Sequence, residues 1–411
     1  MDRVVITGLG TINPLGHTVK ETWENAVNGV SGVGPITLFD ASDWNVKIAS
    51  EVKNFNPDLY MDFKEARRRD RFEQLAVASM KEALETSGLE INDQTTNRIG
   101  VIVSSAIGGL RSMQDNIYTL KDQGFRKVSP FSIAMMMPNG AAGIISIDYG
   151  IRGPSFSVAS ACASGSDGIG VAWMMLRSGM IDAAIAGGSE ATVTPVGVGA
   201  FDRATAITRN PDWKTNPKPF DKNRDGLVMG EGAALLVMET ESHAKSRGAN
   251  ILAELTGWSS NSDGFHVTSP REDGSGGGLA IMNALESARI NTDEVGYINA
   301  HGTATVMNDA AETTSIKYAF GENAYSIPVS STKSMTGHMM GATGALEAIL
   351  SVQAIREGVL PPTINYETPD PVCDLDYIPN QAREKKVRVV VSNAFGFGGH
   401  NAVLVFKKYE G

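Results

Sequence analysis

The chain has 411 residues, 42% of them apolar and 20% charged, which is enough for a large buried core and sets a prior of about two or three domains. A net charge of −10 argues against nucleic acid as a partner, whereas a local basic patch can still dock an acidic protein because screening acts over about 10 Å. Two cysteines, Cys162 and Cys373, exclude a disulfide framework and a cysteine-based zinc site, and they fit a reducing compartment. No apolar run approaches the length of a membrane span and no secretory signal opens the chain, so a cytoplasmic location is expected.

Short apolar runs alternate with amphipathic segments, the pattern of an α/β protein with buried sheets. Val4–Thr7 reads as the first strand. Gly8-Leu9-Gly10 behind it invites a dinucleotide site, but Asn13-Pro14 stands where the third glycine should be, so a strand-end turn is the better reading. Lys64, Arg67, Arg68 and Arg71 fall at i, i+3, i+4, i+7, which places four cations on one face of one helix. Such a run is usually a solvated face. Phe72, Leu75, Ala76, Ser79 and Ala83 predict the next helix, and Gly100–Val103 and Phe156–Ala159 two strands. After Cys162, Ile169, Ala172, Trp173 and Leu176 mark a helix face, followed by strands at Ala183–Ala186 and Ala234–Met238.

A division near Ser246-Arg247-Gly248-Ala249 separates residues 1–249 from 250–411. Each side opens with a strand, Arg3–Gly8 and Ile251–Gly257, followed by a loop and helical material, which suggests two similar halves. Later strands are Gly296–Asn299 and Pro328–Ser330, and a helix runs through Ala345, Ala348, Ile349 and Val352. Val387–Ser392 and Ala402–Phe406 flank Phe395-Gly396-Phe397-Gly398-Gly399, a glycine-rich hairpin loop.

Cys162 lies where a strand passes through a turn of small residues, Ser160-Ala161-Cys162-Ala163-Ser164-Gly165, into a helix. A thiol at a helix N-terminus is biased toward thiolate, and small neighbours leave room for substrate. This segment alone also suits a buried structural cysteine. The histidines shift the balance. His301 and His338 sit in small-residue loops after strands, where α/β sites form, whereas His17, His243 and His266 read as structural or solvated and His400 stays open. A metal reading of the histidine pair is the weaker one, since no third ligand has suitable spacing. One Cys, two His and a Lys on separate loops meet the needs of carbon–carbon condensation: a thiol to hold an acyl group, and imidazoles to bind a developing enolate oxygen.

Four motifs agree in order and spacing: Ala161-Cys162-Ala163-Ser164-Gly165, Asn299-Ala300-His301-Gly302-Thr303, Ser331-Thr332-Lys333-Ser334-Met335-Thr336-Gly337-His338, and Ser392-Asn393-Ala394-Phe395-Gly396-Phe397-Gly398-Gly399. Through them the whole chain resembles the β-ketoacyl-[acyl carrier protein] synthases, the elongating type II enzymes in particular. The resemblance implies a thiolase-like fold, two βαβαβαββ halves stacked as five αβαβα layers, and a homodimer. It implies Cys162 as nucleophile, His301 and His338 as ligands of the malonyl thioester oxygen, and Lys333 paired with Glu312. Phe397 would share the oxyanion hole with Cys162 and gate the acyl pocket, with Asp263 in its partner loop, which ends in a flexible Gly274–Gly278. Ile107, Phe201 and Phe395 match substrate-pocket positions, and Thr303 and Thr305 match residues meeting the pantetheine arm. Lys64, Arg67 and Arg68 match a docking helix for acyl carrier protein. No cofactor is required; Asn299, Glu347, Ser392 and Asn393 match the place where some relatives hold a monovalent cation.

Two segments depart from the family. Val306-Met307-Asn308-Asp309 replaces a stretch with Pro and Gly-Asp, and Phe201–Ala206 is one residue short. Both bear on carrier docking rather than on chemistry. The implied activity is decarboxylating condensation of malonyl-carrier with an acyl group on Cys162, elongating fatty acids. A type II polyketide ketosynthase shares all these motifs and is the nearest alternative. A chain-length-factor-like subunit is the non-enzymatic one, and it lacks the nucleophile.

Overall fold

The computed structural model describes residues 2–411. Ten strands form one continuous hydrogen-bonded sheet: β1 (Val4–Ile12), β2 (Ile99–Ser104), β3 (Ser155–Phe156), β4 (Ala183–Ala191), β5 (Glu231–Thr240), β6 (Ala253–Ser262), β7 (Tyr297–Asn299), β8 (Val329–Ser330), β9 (Val389–Gly396) and β10 (His400–Lys407). Their spatial order is β8-β7-β9-β10-β6-β1-β5-β4-β2-β3. The order reads as one five-strand scheme used twice. β1/β5 and β6/β10 are antiparallel, as are β5/β4 and β10/β9, whereas β4/β2 and β9/β7, then β2/β3 and β7/β8, are parallel. The two schemes meet where Val5 pairs Glu254 and Ile6 pairs Ala253.

The helices complete five layers. α1 (Arg71–Ser87) covers the outer face of β1, β5 and β4, while α4 (Ser275–Ala288) covers β6 and β10 and packs on α5 (Val306–Phe320). Between the two halves of the sheet lie α3 (Ser164–Arg177) and α6 (Thr343–Glu357), which touch each other and strands of both halves. α2 (Gly140–Tyr149) packs beside α1. A helix buried on all sides must be apolar or internally satisfied all round. α6 is: every residue from Thr343 to Ile355 is buried. The same demand explains the continuous apolar runs of the strands, which are covered on both faces. Close approach of sheet to central helix needs a missing side chain at Gly170, where a Cβ would lie 2.2 Å from the Trp258 ring.

Three expected elements differ. Gly8-Leu9-Gly10 is not a strand-end turn: β1 runs on through it to Ile12, and the glycines let α1 approach, since a Cβ on Gly8 would lie 2.4 Å from the Ala83 carbonyl oxygen and one on Gly10 2.1 Å from that of Ser79. The basic run is not one helix. Phe63–Ala66 makes a single turn, and α1 starts afresh at Arg71 because Asp70 caps it in a capping box with Glu73. Arg69 turns inward to Asp148 at 2.7 Å and Arg71 to the buried Glu231 at 2.6 Å, so only Lys64, Arg67 and Arg68 stay exposed. The predicted strand Phe156–Ala159 shrinks to Ser155–Phe156, because the chain leaves the sheet edge to enter the Cys162 turn. Among the described residues no helix is long and apolar enough to cross a membrane.

Candidate active site

The turn between β3 and α3 is pinned by the side chains of the helix it enters. The Ser164 hydroxyl accepts the Ser160 N–H at 2.9 Å and donates to the Ala161 carbonyl at 2.6 Å, while the Ser160 hydroxyl donates to Asp167 at 2.5 Å. Ala161 is held in the left-handed region at φ +50°, a conformation few non-glycine residues adopt. Strain of this kind, fixed by surrounding bonds, is a mark of functional turns. Cys162 is thereby presented to a cavity while remaining only 9% exposed. The backbone N–H groups of Phe397 and of Cys162 itself act on its sulfur, yet burial wins and pushes the thiol up to about 11. The thiolate bias expected from the helix is therefore outweighed by desolvation.

His301 follows β7. Its N–H and that of Gly302 each donate to Glu312 on α5 at 2.7 Å, and the Asn393 amide donates to the same carboxylate at 3.1 Å. His338 follows the single-turn helix Lys333–Thr336 and Gly337, whose φ of +64° lets the chain reverse. The His338 N–H donates to the Val228 carbonyl at 2.7 Å, and its Nδ1 meets the Thr343 hydroxyl at 3.0 Å. With Nδ1 accepting from Thr343, Nε2–H is left free to donate. The two imidazole centroids are 5.3 Å apart, edge to face. Burial holds both imidazoles well below the ordinary range, and the Lys333 ammonium adds to the effect. Both rings are neutral at physiological pH, and His301 Nδ1 is buried without a hydrogen-bond partner.

Cys162 Sγ and a ring nitrogen of each histidine lie within 4.8 Å of one another. The fold thus supplies the third ligand-type group that sequence spacing did not reveal. The setting favours negative charge, since N–H donors and a buried ammonium would repel a cation at the sulfur.

The Lys333 pairing implied by the family resemblance is corrected. Lys333 Nζ donates to Glu347 on α6 at 2.6 Å, both side chains being fully buried, and not to Glu312. Glu312 is already occupied by backbone and amide donors. The second Glu347 oxygen, Asn299 Oδ1, Ser392 Oγ and Asn393 Oδ1 are all buried without a hydrogen-bond partner. Asn299 and Ser392 are paired across β7 and β9, so at least two of these oxygens belong to neighbouring residues of the sheet.

Thr303, Thr305, Phe201, Phe395, Phe397 and Asp263 line the same cavity as Cys162 and the histidines, a space of about 1040 Å³ including its open mouth. Thr303 and Thr305 share a hydroxyl bond at 3.0 Å, and the Phe201 and Phe397 rings stack at 6.1 Å. Asp263 ties the glycine loop down: it accepts from Asn401 at 2.7 Å, and its N–H donates to the Gly399 carbonyl at 2.8 Å. Gly274–Gly278, read from sequence as flexible, instead opens α4, with Gly276, Gly277 and Gly278 buried against Asp263, Phe395 and Tyr318. Ile107 is not brought to the cavity; it is 40% exposed on the turn after β2. Val306 and Met307, in the segment that departs from the family, line the cavity mouth with exposed apolar side chains. One buried residue escaped sequence reading, Glu190 at the end of β4, although an acid closing an apolar strand was a visible signal.

A duplicated five-layer frame that sets a buried thiol under two backbone N–H groups, opposite two neutral imidazoles, is that of a thiolase-like condensing protein. The chain belongs to the β-ketoacyl synthase family: residues 1–244 match its N-terminal domain and residues 252–367 its C-terminal domain. It is 47% identical over 408 residues to a Staphylococcus aureus protein named 3-oxoacyl-[acyl-carrier-protein] synthase 2, covering 99% of both chains. A solved β-ketoacyl synthase from Burkholderia phymatum is 36% identical and superposes over the full length of both chains with a TM-score of 0.93. The complex of a type II polyketide acyl-carrier protein with its ketosynthase holds a similar chain, 32% identical with a TM-score of 0.92, over 99% of this chain and all of that one.

Proposed function

We propose that this chain elongates acyl groups carried by acyl carrier protein, as a 3-oxoacyl-[acyl carrier protein] synthase of fatty-acid synthesis. The observation that carries the reading is the meeting of Cys162, His301 and His338 in one cavity, each held neutral by burial. In the first half-reaction Cys162 Sγ attacks the acyl thioester and its proton goes to the departing carrier sulfur. The carbonyl oxygen takes up charge under the N–H groups of Cys162 and Phe397, and the carrier thiol leaves. In the second, malonyl-carrier loses CO₂; the electron pair of the broken bond becomes an enolate whose oxygen is held by His301 and His338. The enolate carbon attacks the acyl carbonyl, a carbon–carbon bond forms, and the Cys162 thiolate is released. Each step uses the chain's own groups, so no cofactor is required.

The fatty-acid reading rests on 47% identity to the synthase 2 protein, against 32% to the polyketide ketosynthase complex. Malonyl-carrier offered with a ladder of acyl primers tests it: single extension of straight acyl chains supports it, and repeated unreduced extension favours the polyketide alternative. The acidic carrier docks on the exposed cations Lys64, Arg67 and Arg68. A second copy of the chain covers exposed Met113, Ile117 and Leu120, spaced along one helix face, together with neighbouring Phe131, Ile133 and Ile147. Ile107 stands beside that helix and reaches an acyl chain only in the dimer. The four orphaned oxygens of Asn299, Glu347, Ser392 and Asn393 suit a monovalent cation, which would give each buried oxygen a partner. Potassium or sodium should then raise the melting temperature over tetramethylammonium, and Asn393→Ala should remove the difference. The cytoplasm is the expected compartment.

A further inference from the structure

The mechanism leaves unused a buried carboxylate that binds the His338 segment. Glu190 closes β4 and is fully buried. Its Oε1 accepts from the Ser105 hydroxyl at 2.8 Å, and its Oε2 accepts the N–H groups of Ala106 at 2.7 Å and Gly341 at 3.1 Å. The Ser105 hydroxyl in turn accepts the Gly108 N–H at 2.8 Å, closing the turn after β2. Gly341 stands three residues beyond His338, and Met340 between them is held at φ +46° in the apolar cluster that contains Cys162.

No slack surrounds this junction. A Cβ on Gly165, in the first turn of α3, would lie 2.7 Å from the Gly341 carbonyl oxygen, and one on Gly188 of β4 would lie 2.5 Å from it. A Cβ on Gly341 itself would lie 2.5 Å from the Ala106 nitrogen and 2.8 Å from Glu190 Oε2. The turn after β2, the nucleophile helix and the His338 segment therefore meet around one acidic side chain. A mere filler here would be apolar, because burying a carboxylate is costly unless its hydrogen bonds are needed. Its burial shows in the carboxyl being pushed up to about 7 against the donors that oppose the shift.

We propose that Glu190 is a positioning residue for carbon–carbon bond formation: it fixes the turn after β2 and the His338 segment at one spacing around Cys162, so that the enolate forms within reach of the acyl thioester. This rests on the condensing function proposed above. When spacing is correct, each CO₂ lost yields an enolate whose carbon bonds to the acyl carbonyl and displaces the Cys162 thiolate. When it is loose, the enolate carbon takes a proton instead and malonyl-carrier becomes acetyl-carrier. Misplacement therefore uncouples CO₂ release from product without stopping either half-reaction.

The test is Glu190→Gln, which keeps the shape but turns an amide N–H toward groups that are already donors. Acyl loading of Cys162, CO₂ release, acetyl-carrier and ketoacyl product are measured together with the melting temperature. Product per CO₂ is expected to fall at least about 10-fold, since a 1 Å misplacement can cost about 10²-fold, with acetyl-carrier making up the difference. If all activities fall in parallel with thermal stability and product per CO₂ is unchanged, Glu190 is only structural and the proposal is overturned. Should Glu190→Gln not fold, Ser105→Ala removes one donor, leaves the carboxylate in place and is read by the same ratio, with a smaller fall expected. A wild-type chain that makes no ketoacyl product would sink the function itself; a productive wild type with fully coupled variants would sink only the role of Glu190.

Discussion

The two halves of the molecule repeat one topology and use it for different chemistry. The turns after β2 and β7 are equivalent, yet the first carries Ser105, Ala106 and Ile107 and the second carries His301. The turn after β3 delivers Cys162, and the equivalent turn after β8 delivers Lys333 and His338. The N-terminal half gives its thiol an apolar setting of Val193, Val198 and Phe201, closed by Met340 from the other half. The C-terminal half surrounds its imidazoles with a charged network of Lys333, Glu347 and Glu312. Burial acts on both in the same sense: it raises the thiol and lowers the imidazoles, holding each neutral until substrate arrives. Duplication thus supplies convergent strand ends: the N-terminal half brings the thiol, and the C-terminal half brings the imidazoles together with the Phe397 N–H that reaches the sulfur.

The comparison is broken most severely by removing the charge on which the C-terminal network is built. Lys333→Ala leaves Glu347 buried without its partner and is expected to cost about 3–5 kcal/mol in urea unfolding. A loss below about 1 kcal/mol, as for an exposed pair, would show that the network does not hold this half together. A smaller effect concerns docking on the N-terminal half. Reversing Arg67 and Arg68 to Glu should raise the KM for carrier several-fold and weaken its salt dependence, with kcat nearly unchanged. An unchanged KM would return these cations to the role of a solvated face.

The smallest expected effect concerns pH. Because burial holds His301 and His338 well below 6.5, neither ring gains a proton between pH 8 and 6 and their imidazole NMR shifts should stay constant, while Glu312 and Glu347, raised by burial to about 7, account for any step in CO₂ release in that range. The thiol has the opposite sign. Alkylation of Cys162 should keep rising through pH 9, since its thiolate form becomes dominant only toward about 11. A plateau below pH 9, or a step in the imidazole shifts near 6.5, would place charge where the two settings exclude it.

Much of this site was legible because its motifs are local. The turn at Ala161–Gly165, the loops at His301 and His338 and the hairpin at Phe395–Gly399 all stand where short stretches of sequence place them. The misses share a physical cause: they are choices among distant partners. Lys333 could meet either of two buried glutamates, and only the packing of α6 decides for Glu347. The basic run has perfect helical spacing, yet Asp70 and Glu73 form a capping box that restarts the helix inside it. The thiol was read from its helix dipole, whereas its reactivity is set by how deeply the assembled halves bury it. Ile107 was assigned to a pocket that a single chain does not close around it.

The separation of the two half-reactions is tested most directly by measuring labelled CO₂ release and covalent acyl loading side by side in Cys162→Ala and His338→Ala. Cys162→Ala should abolish loading and condensation while CO₂ release from malonyl-carrier remains measurable. His338→Ala should lower CO₂ release by about 10²–10³, the usual cost of losing one donor at a developing oxyanion, while Cys162 is still acylated beneath the Phe397 loop. Normal CO₂ release in His338→Ala together with failed acylation would reverse the assigned roles and contradict the division of chemistry between the halves.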